Sequence, residues 1–186
     1  MSSDFKTTLR RLKPEKHRHR LVPRKDSDLP FLGLAGRPSS FLYDTTVYVD
    51  VLQGRFPAAG EAMLLAADAW HSSIAESELA SVVALLDPRH LNTRRVVAQV
   101  VALIERIPGH RIVHADREVW RDAGILTGTI ARLQGIARND RRRILNDALI
   151  FASARRHGHT VLTRNVSDFD FLQQLDPSGR VMFYRV

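Results

Sequence analysis

Short apolar runs, spaced by amphipathic segments of ten residues or more, constrain this chain more than any other feature. Phe41-Leu42-Tyr43, Trp70 to Ile74, Arg111 to His114, Thr160 to Thr163 and Val181 to Tyr184 read as strands. The segments between them carry apolar residues at helical spacing, such as Val96, Val97, Val100, Val101 and Ile104. Punctuation agrees with this reading. A first helix follows Asp44, carries Val47, Val49, Val51 and Leu52, and is broken by Gly54 and Pro57; helix formers then run from Ala58 to Ala67. A helix from Ala75 to Leu86 must stop before Pro88, and Asn92 can cap the next, which ends at Pro108-Gly109. Asp116 caps a long helix to Leu133, and the helix from Asp140 to His157 ends at Gly158. Strands that alternate with helices of this length need crossover connections, so the sheet is parallel and covered on both faces. The predicted fold is α/β, a three-layer α/β/α domain with a central parallel sheet.

The first 40 residues break the pattern. They hold Lys6, Arg10, Arg11, Lys13, Lys16, Arg18, Arg20, Arg24 and Lys25, with four prolines and few apolar residues. Burial there cannot offset the entropy of ordering, so residues 1–40 are expected to form a disordered basic extension, and 41–186 the folded domain. The net charge of +8 is the electrostatic footprint of a protein that meets phosphate backbones, although solubility alone also explains surplus Arg. No cysteine is present, which excludes disulfides, thiolate metal sites and cysteine nucleophiles. No segment has the length of a signal-peptide core or a membrane span, so a cytoplasmic protein is expected.

In an open parallel sheet, ligands gather beyond the carboxyl ends of the strands. Asp44 directly follows the first strand, Glu76 and Glu78 follow the second, Asp147 lies on the helix before the fourth, and Asn165 and Asp168 come after it. Singly, each has an ordinary structural explanation: a helix cap, a carboxylate in a first turn, a loop acceptor. Together they would repel one another unless a cation sat among them. Hard oxygen donors without His or Cys suit Mg2+ or Mn2+, which accept phosphate oxygens as further ligands. That is the constellation of a metal-dependent nuclease.

These residues resemble the PIN-domain family. Phe41-Leu42-Tyr43-Asp44-Thr45-Thr46-Val47 looks like its opening strand and first acid, and Ser77-Glu78-Leu79-Ala80 is similar to its second acid, which favours Glu78 over Glu76. Asn146-Asp147-Ala148-Leu149-Ile150 with Ala154 to Gly158 resembles the third-acid segment, and Thr163-Arg164-Asn165-Val166-Ser167-Asp168-Phe169 the closing signature. The four strings stand in family order across residues 41–186. The resemblance implies an endoribonuclease using Mg2+ or Mn2+, akin to the VapC-like toxin of a type II toxin–antitoxin pair. Its implied partners are RNA, a VapB-like antitoxin and a second copy of itself in a homodimer. Carried over by position, Asp44, Glu78, Asp147 and Asp168 are the catalytic and metal-holding acids. Asn165 is a polar ligand or water-positioner competing with Asp168 for the fourth place, and Thr45 and Thr163 orient the acids. A basic leader ahead of the first acid departs from the family pattern.

Arg142, Arg143 and Arg164 are candidate nucleic-acid contacts, and Arg143 stands one turn before Asp147, where it can pair with it. Trp70 and Trp120 fall in apolar patterns and read as core. Three alternatives remain at this point: a catalytically silent RNA-binding module, a DNA-directed nuclease, and a HAD-type phosphohydrolase, which needs a second Asp where this chain has Thr46.

Overall fold

The computed structural model describes residues 5–33, 38–58, 60–62 and 67–186. Its centre is a five-stranded sheet in the order β3-β2-β1-β4-β5, every neighbouring pair parallel. The strands are β1 (Ser40–Tyr43), β2 (Asp68–Ser72), β3 (Ile112–Val113), β4 (Thr160–Thr163) and β5 (Arg180–Phe183). Order runs outward from β1 in both directions, so β1 and β4 lie at the centre with their carboxyl ends side by side. The helices are α1 (Phe5–Leu12), α2 (Thr45–Leu52), α3 (Ser73–Leu85), α4 (Thr93–Glu105), α5 (Arg117–Gln134), α6 (Arg141–His157) and α7 (Val166–Leu175). The helix expected over Ala58 to Ala67 falls partly outside the described residues.

Local chemistry explains the boundaries. Asp116 accepts from the backbone N–H of Glu118 and Val119 and starts α5, while Gly135 and Gly158 end α5 and α6 with positive φ of 67° and 75°. Asn92, in contrast, sits before α4 in a helical backbone conformation and makes no side-chain cap. The second strand lies two residues earlier than expected. Ser72 caps α3 by accepting from Ile74 N–H, so Ser73 and Ile74 belong to the helix. That hydroxyl ends the strand where apolar patterning alone continued it.

Helix α6 is the buried element of the fold. Every residue from Asp147 to Ala154 is buried, because α5 and α7 cover the faces that do not meet the sheet. Small and apolar side chains (Ala148, Ala152, Ser153, Ala154 with Leu149, Ile150, Phe151) make this possible. Each large apolar side chain buried here contributes about 1.5–3 kcal/mol. A carboxylate that opens such a helix is carried into the protein with it.

Residues 5–33 are not placed as a disordered arm but packed on the domain. Leu12, Leu29 and Phe31 are buried, and Phe31 forms a parallel bridge to Phe183 beyond the β5 edge of the sheet. Arg11 reaches Asp122 at 2.5 Å and also pairs with Asp176; Arg24 Nε donates to Asp170 Oδ1 at 2.5 Å. All three aspartates are buried, so each needs a cation. Composition reported a segment poor in apolar residues, whereas its ordering comes from charges waiting on distant elements. Trp70 is half-buried and stacks on His159, but Trp120 is 49% exposed and so is not a core residue. No helix among the described residues is long and apolar enough to cross a membrane.

Candidate metal centre

Asp44 is delivered by the carboxyl end of β1. Its N–H donates to Leu162 O at 3.1 Å, which holds it level with Thr163 at the end of β4. Asp44 occupies the capping position of α2 but makes no side-chain cap. Its Oδ2 instead accepts from two hydroxyls, Thr46 Oγ1 and Thr163 Oγ1, each at 2.7 Å. The carboxylate is 2% exposed. Burial raises its pKa above the ordinary carboxylate range, the two hydroxyl donors oppose that rise, and the charge of Glu78 adds to it.

Glu78 comes from α3, where Ser72 fixes the start of the helix. It accepts from the Thr45 hydroxyl and, at 2.6 Å, from Asn146 Nδ2 on α6. The Thr45 hydroxyl therefore serves Glu78, while its backbone N–H faces Asp44. Asp147 is 6% exposed. Its pKa is raised well above the ordinary value by burial first, then by the charges of Asp44, Asp168 and Glu78, with Arg143 opposing. Asp168, in the first turn of α7 and 7% exposed, pairs with Arg143 at 2.5 Å. The arginine expected to pair with Asp147 thus goes to Asp168.

Asn165 joins these two acids. Its Nδ2 donates to Asp147 Oδ2 at 3.1 Å and to Asp168 Oδ2 at 2.9 Å. Its Oδ1 accepts from Ser167 Oγ and from Asp168 N–H, so it also caps α7, and both sides of the amide fix its orientation. With its nitrogen turned to the carboxylates, Asn165 positions them.

The structure thus draws Asp44, Glu78, Asp147 and Asp168 from four separate elements to one edge of the sheet. Among the described residues, Arg143 is the one arginine in an ion pair with any of these four carboxylates. Among the described residues, no three Asp, Glu or His side chains converge closely enough to enclose an ion unaided. An ion here would be held by one or two carboxylates together with its own waters, which is the habit of Mg2+. The donor set, all hard oxygen with a surplus of negative charge, fits a divalent cation of that kind.

Of the three candidate nucleic-acid contacts, Arg142 and Arg143 line a groove of about 460 Å³ that also contains Glu78 and Asn146. Arg164 is committed elsewhere. Its Nε donates at 2.8 Å to Asp50, a fully buried carboxylate that also accepts from Arg55 and the Tyr184 hydroxyl. Three residues escaped the sequence reading: Thr46, Asn146 and Asp50. Asp50 left a signal, since it is the one acid in the otherwise apolar helix α2. Thr46 left only its position two residues after an acid. Asn146 left none, because its partner is on α3.

The fold has counterparts among solved structures. FitAcB from Neisseria gonorrhoeae is similar at 25% identity and a TM-score of 0.55, over 77% of this chain and 96% of that one. VapBC2 from Rickettsia felis, bound to a DNA fragment from its promoter, is similar at 17% identity and a TM-score of 0.55, over 79% and 99%. VapBC-5 from Mycobacterium tuberculosis, of a family of toxin–antitoxin systems, is similar at 22% and 0.52, over 80% and 100%. No curated protein matches the sequence. The model of the PIN domain matches residues 41–171, well over half the chain and the whole span from Asp44 to Asp168. With its acids gathered at the carboxyl edge of a five-stranded parallel sheet, this chain belongs to the PIN-domain family, whose members are nucleases that generally use divalent metal ions.

Proposed function

We propose that the chain is a Mg2+- or Mn2+-dependent endoribonuclease, the toxin half of a VapBC-type pair, with Asp44, Glu78, Asp147 and Asp168 as its metal-holding acids. The observation that carries this reading is Asp147, a buried carboxylate beside three others, with Arg143 drawn to Asp168 rather than to it. Such an arrangement is costly for the fold alone, because burial and like charge both disfavour it. A divalent ion removes the cost, and when bound it supplies an acidified water and a clamp on phosphate.

The chain's own residues do the positioning. Thr46 and Thr163 fix one oxygen of Asp44, Thr45 and Asn146 hold Glu78, and Asn165 spaces Asp147 from Asp168. Arg142 and Arg143 stand beside the acids, where they can meet substrate phosphates. A second acid at position 46, which a HAD-type phosphohydrolase requires, is replaced by a hydroxyl already used on Asp44 and on Arg164 N–H. VapBC-5 from Mycobacterium tuberculosis, similar in fold, belongs to a family of toxin–antitoxin systems, which supports an antitoxin partner here.

RNA cleavage by the purified protein with Mg2+ or Mn2+, set against EDTA and against Asp147→Asn, tests the reading. Cleavage should vanish in both controls. Cleavage that persists in EDTA and in the variant would overturn the carboxylate mechanism.

A further inference from the structure

The basic segment ahead of β1 uses its cations in two ways. Arg11 and Arg24 turn inward onto buried aspartates. Arg18 and Arg20 are exposed, and neither has an acidic partner among the described residues. Arg20 Nε donates only to the neutral Gln134 Oε1, at 2.8 Å. The inward pairs and a row of backbone contacts fix where the outward cations stand. Arg132 on α5 donates to Pro14 O and His17 O, Gln134 to Leu21 O, Gln174 on α7 to Val22 O, and Arg24 N–H to Asp170.

That course lays residues 20–23 along a groove of about 520 Å³, whose other side includes Ile136, Phe171 and Asp168. Asp168 is one of the four acids, so the groove adjoins the candidate metal centre. The chain beyond Ile136 continues with Arg138 and Arg141, both exposed. The opposite side of the centre has its own groove, with Arg142 and Arg143 beside Glu78. Cations therefore flank the acid cluster on both sides.

We propose that the extension is a built-in binding element for single-stranded RNA. Arg18 and Arg20, together with Arg138 and Arg141, take the phosphates of the strand as it leaves the acid centre along the α5/α7 groove. The inference rests on the nuclease reading above. Three observations lead to it. A polyanion cannot approach four carboxylates unless cations flank them. Among the described residues, none of these cations is in an ion pair with a carboxylate. The groove also combines a charged lip with the half-buried ring of Phe171, the pairing of backbone contact and aromatic platform that suits unpaired bases.

The test measures binding of a fluorescent single-stranded RNA of about 20 nucleotides by the Asp147→Asn protein, in KCl from about 50 to 200 mM. Each phosphate contact contributes ~0.7 to the slope of log affinity against log salt for a single strand. Adding Arg18→Ala and Arg20→Ala should lower the slope by ~1.4 and weaken binding about tenfold at the lowest salt. Both side chains lie outside the buried ion pairs, so thermal unfolding should be unchanged. The control is Lys6→Ala with Arg10→Ala, which removes the same charge from the same segment. Helix α1 meets α5 at Asp122, twelve residues and about 18 Å of helix from Gln134. The control slope should therefore change by less than ~0.7. Equal effects from the two pairs, or an unchanged slope with Arg18 and Arg20 replaced, would overturn the proposed track and leave the nuclease reading standing. RNA neither bound by Asp147→Asn nor cleaved by the unmodified protein with Mg2+ or Mn2+ would overturn both.

Discussion

Replacing Asp147 by Asn should make the metal-free protein more stable while removing its response to metal. Asn165 Nδ2 lies 3.1 Å from Asp147 Oδ2 and 2.9 Å from Asp168 Oδ2, so those two oxygens are at most about 6 Å apart. Two unit charges at that distance repel by about 3 kcal/mol at an effective dielectric of ~20. Arg143 and the shared Asn165 amide offset part of this, while Asp44 and Glu78 add to it. Asparagine keeps the acceptor for Asn165 and has nearly the same volume, so the net gain is about 1–2 kcal/mol. At ~2–4 °C per kcal/mol for a chain of this size, Tm in EDTA should rise by about 2–8 °C.

The sign with pH follows from the direction of the shift. The folded-state pKa of Asp147 is raised, so its penalty is absent below the unfolded-state value near pH ~4 and complete above the folded-state value. The advantage of Asp147→Asn should therefore fade as pH falls toward ~4. Divalent metal reverses the order: at a hundred times Kd it stabilises the acid form by about 2.7 kcal/mol and leaves the variant nearly unmoved. Differential scanning fluorimetry with EDTA and with Mn2+, across pH, reads all three effects. A variant less stable than the parent in EDTA at neutral pH, or one that gains equally with Mn2+, would refute the argument that Asp147 is a repelled carboxylate waiting for a cation.

Two further perturbations test the supports of the site. Arg24→Ala strips the buried Asp170 of its guanidinium and should cost about 2–3 kcal/mol, seen as a lower urea midpoint; an unchanged midpoint would mean the extension is not held by that pair. Asp50→Asn leaves Arg55, Arg164 and Tyr184 without the carboxylate they share, at about 3 kcal/mol. Because Arg164 N–H also donates to Thr46 Oγ1, Asp44 should lose alignment and cleavage should fall about tenfold, or ~1.4 kcal/mol of barrier; full activity at reduced stability would separate the network from the site.

What could be read in advance depended on the range of the interaction. Gly158 ends α6 and Asp116 starts α5 through contacts within a few residues, and both were legible as written. The α/β alternation was legible for the same reason, since each strand and helix announces itself by its own period. The candidate acids could be listed because strand ends and helix starts are local features, and the fold brings them to one edge of the sheet. Their partners could not, because Arg143 had two carboxylates within reach and only the folded chain shows it on Asp168, on the next helix but one strand. Trp120 sits in an apolar pattern on α5 yet half its surface is open, since a period says which residues share a face and not what covers it.

The extension is the extreme case of this rule. Between residues 5 and 33, order comes from three buried apolar side chains and from arginines whose partners lie on α5 and α7, 111 to 165 positions away in the chain. A composition argument treats each of those cations as a reason for disorder. Once the carboxylate of Asp170 is buried, Arg24 becomes necessary to the folded domain, because an unpaired buried carboxylate costs more than the ordering of the arginine that meets it; Arg11 joins Arg155 of α6 on the buried Asp122 and Asp176. Ion pairing that fixes the extension then determines which of its remaining charges face solvent beside Asp168. Stability and substrate approach are in this way coupled through one segment: loosening Arg11 or Arg24 should disturb the RNA track as well as the fold, whereas replacing Arg18 and Arg20 should disturb the track alone.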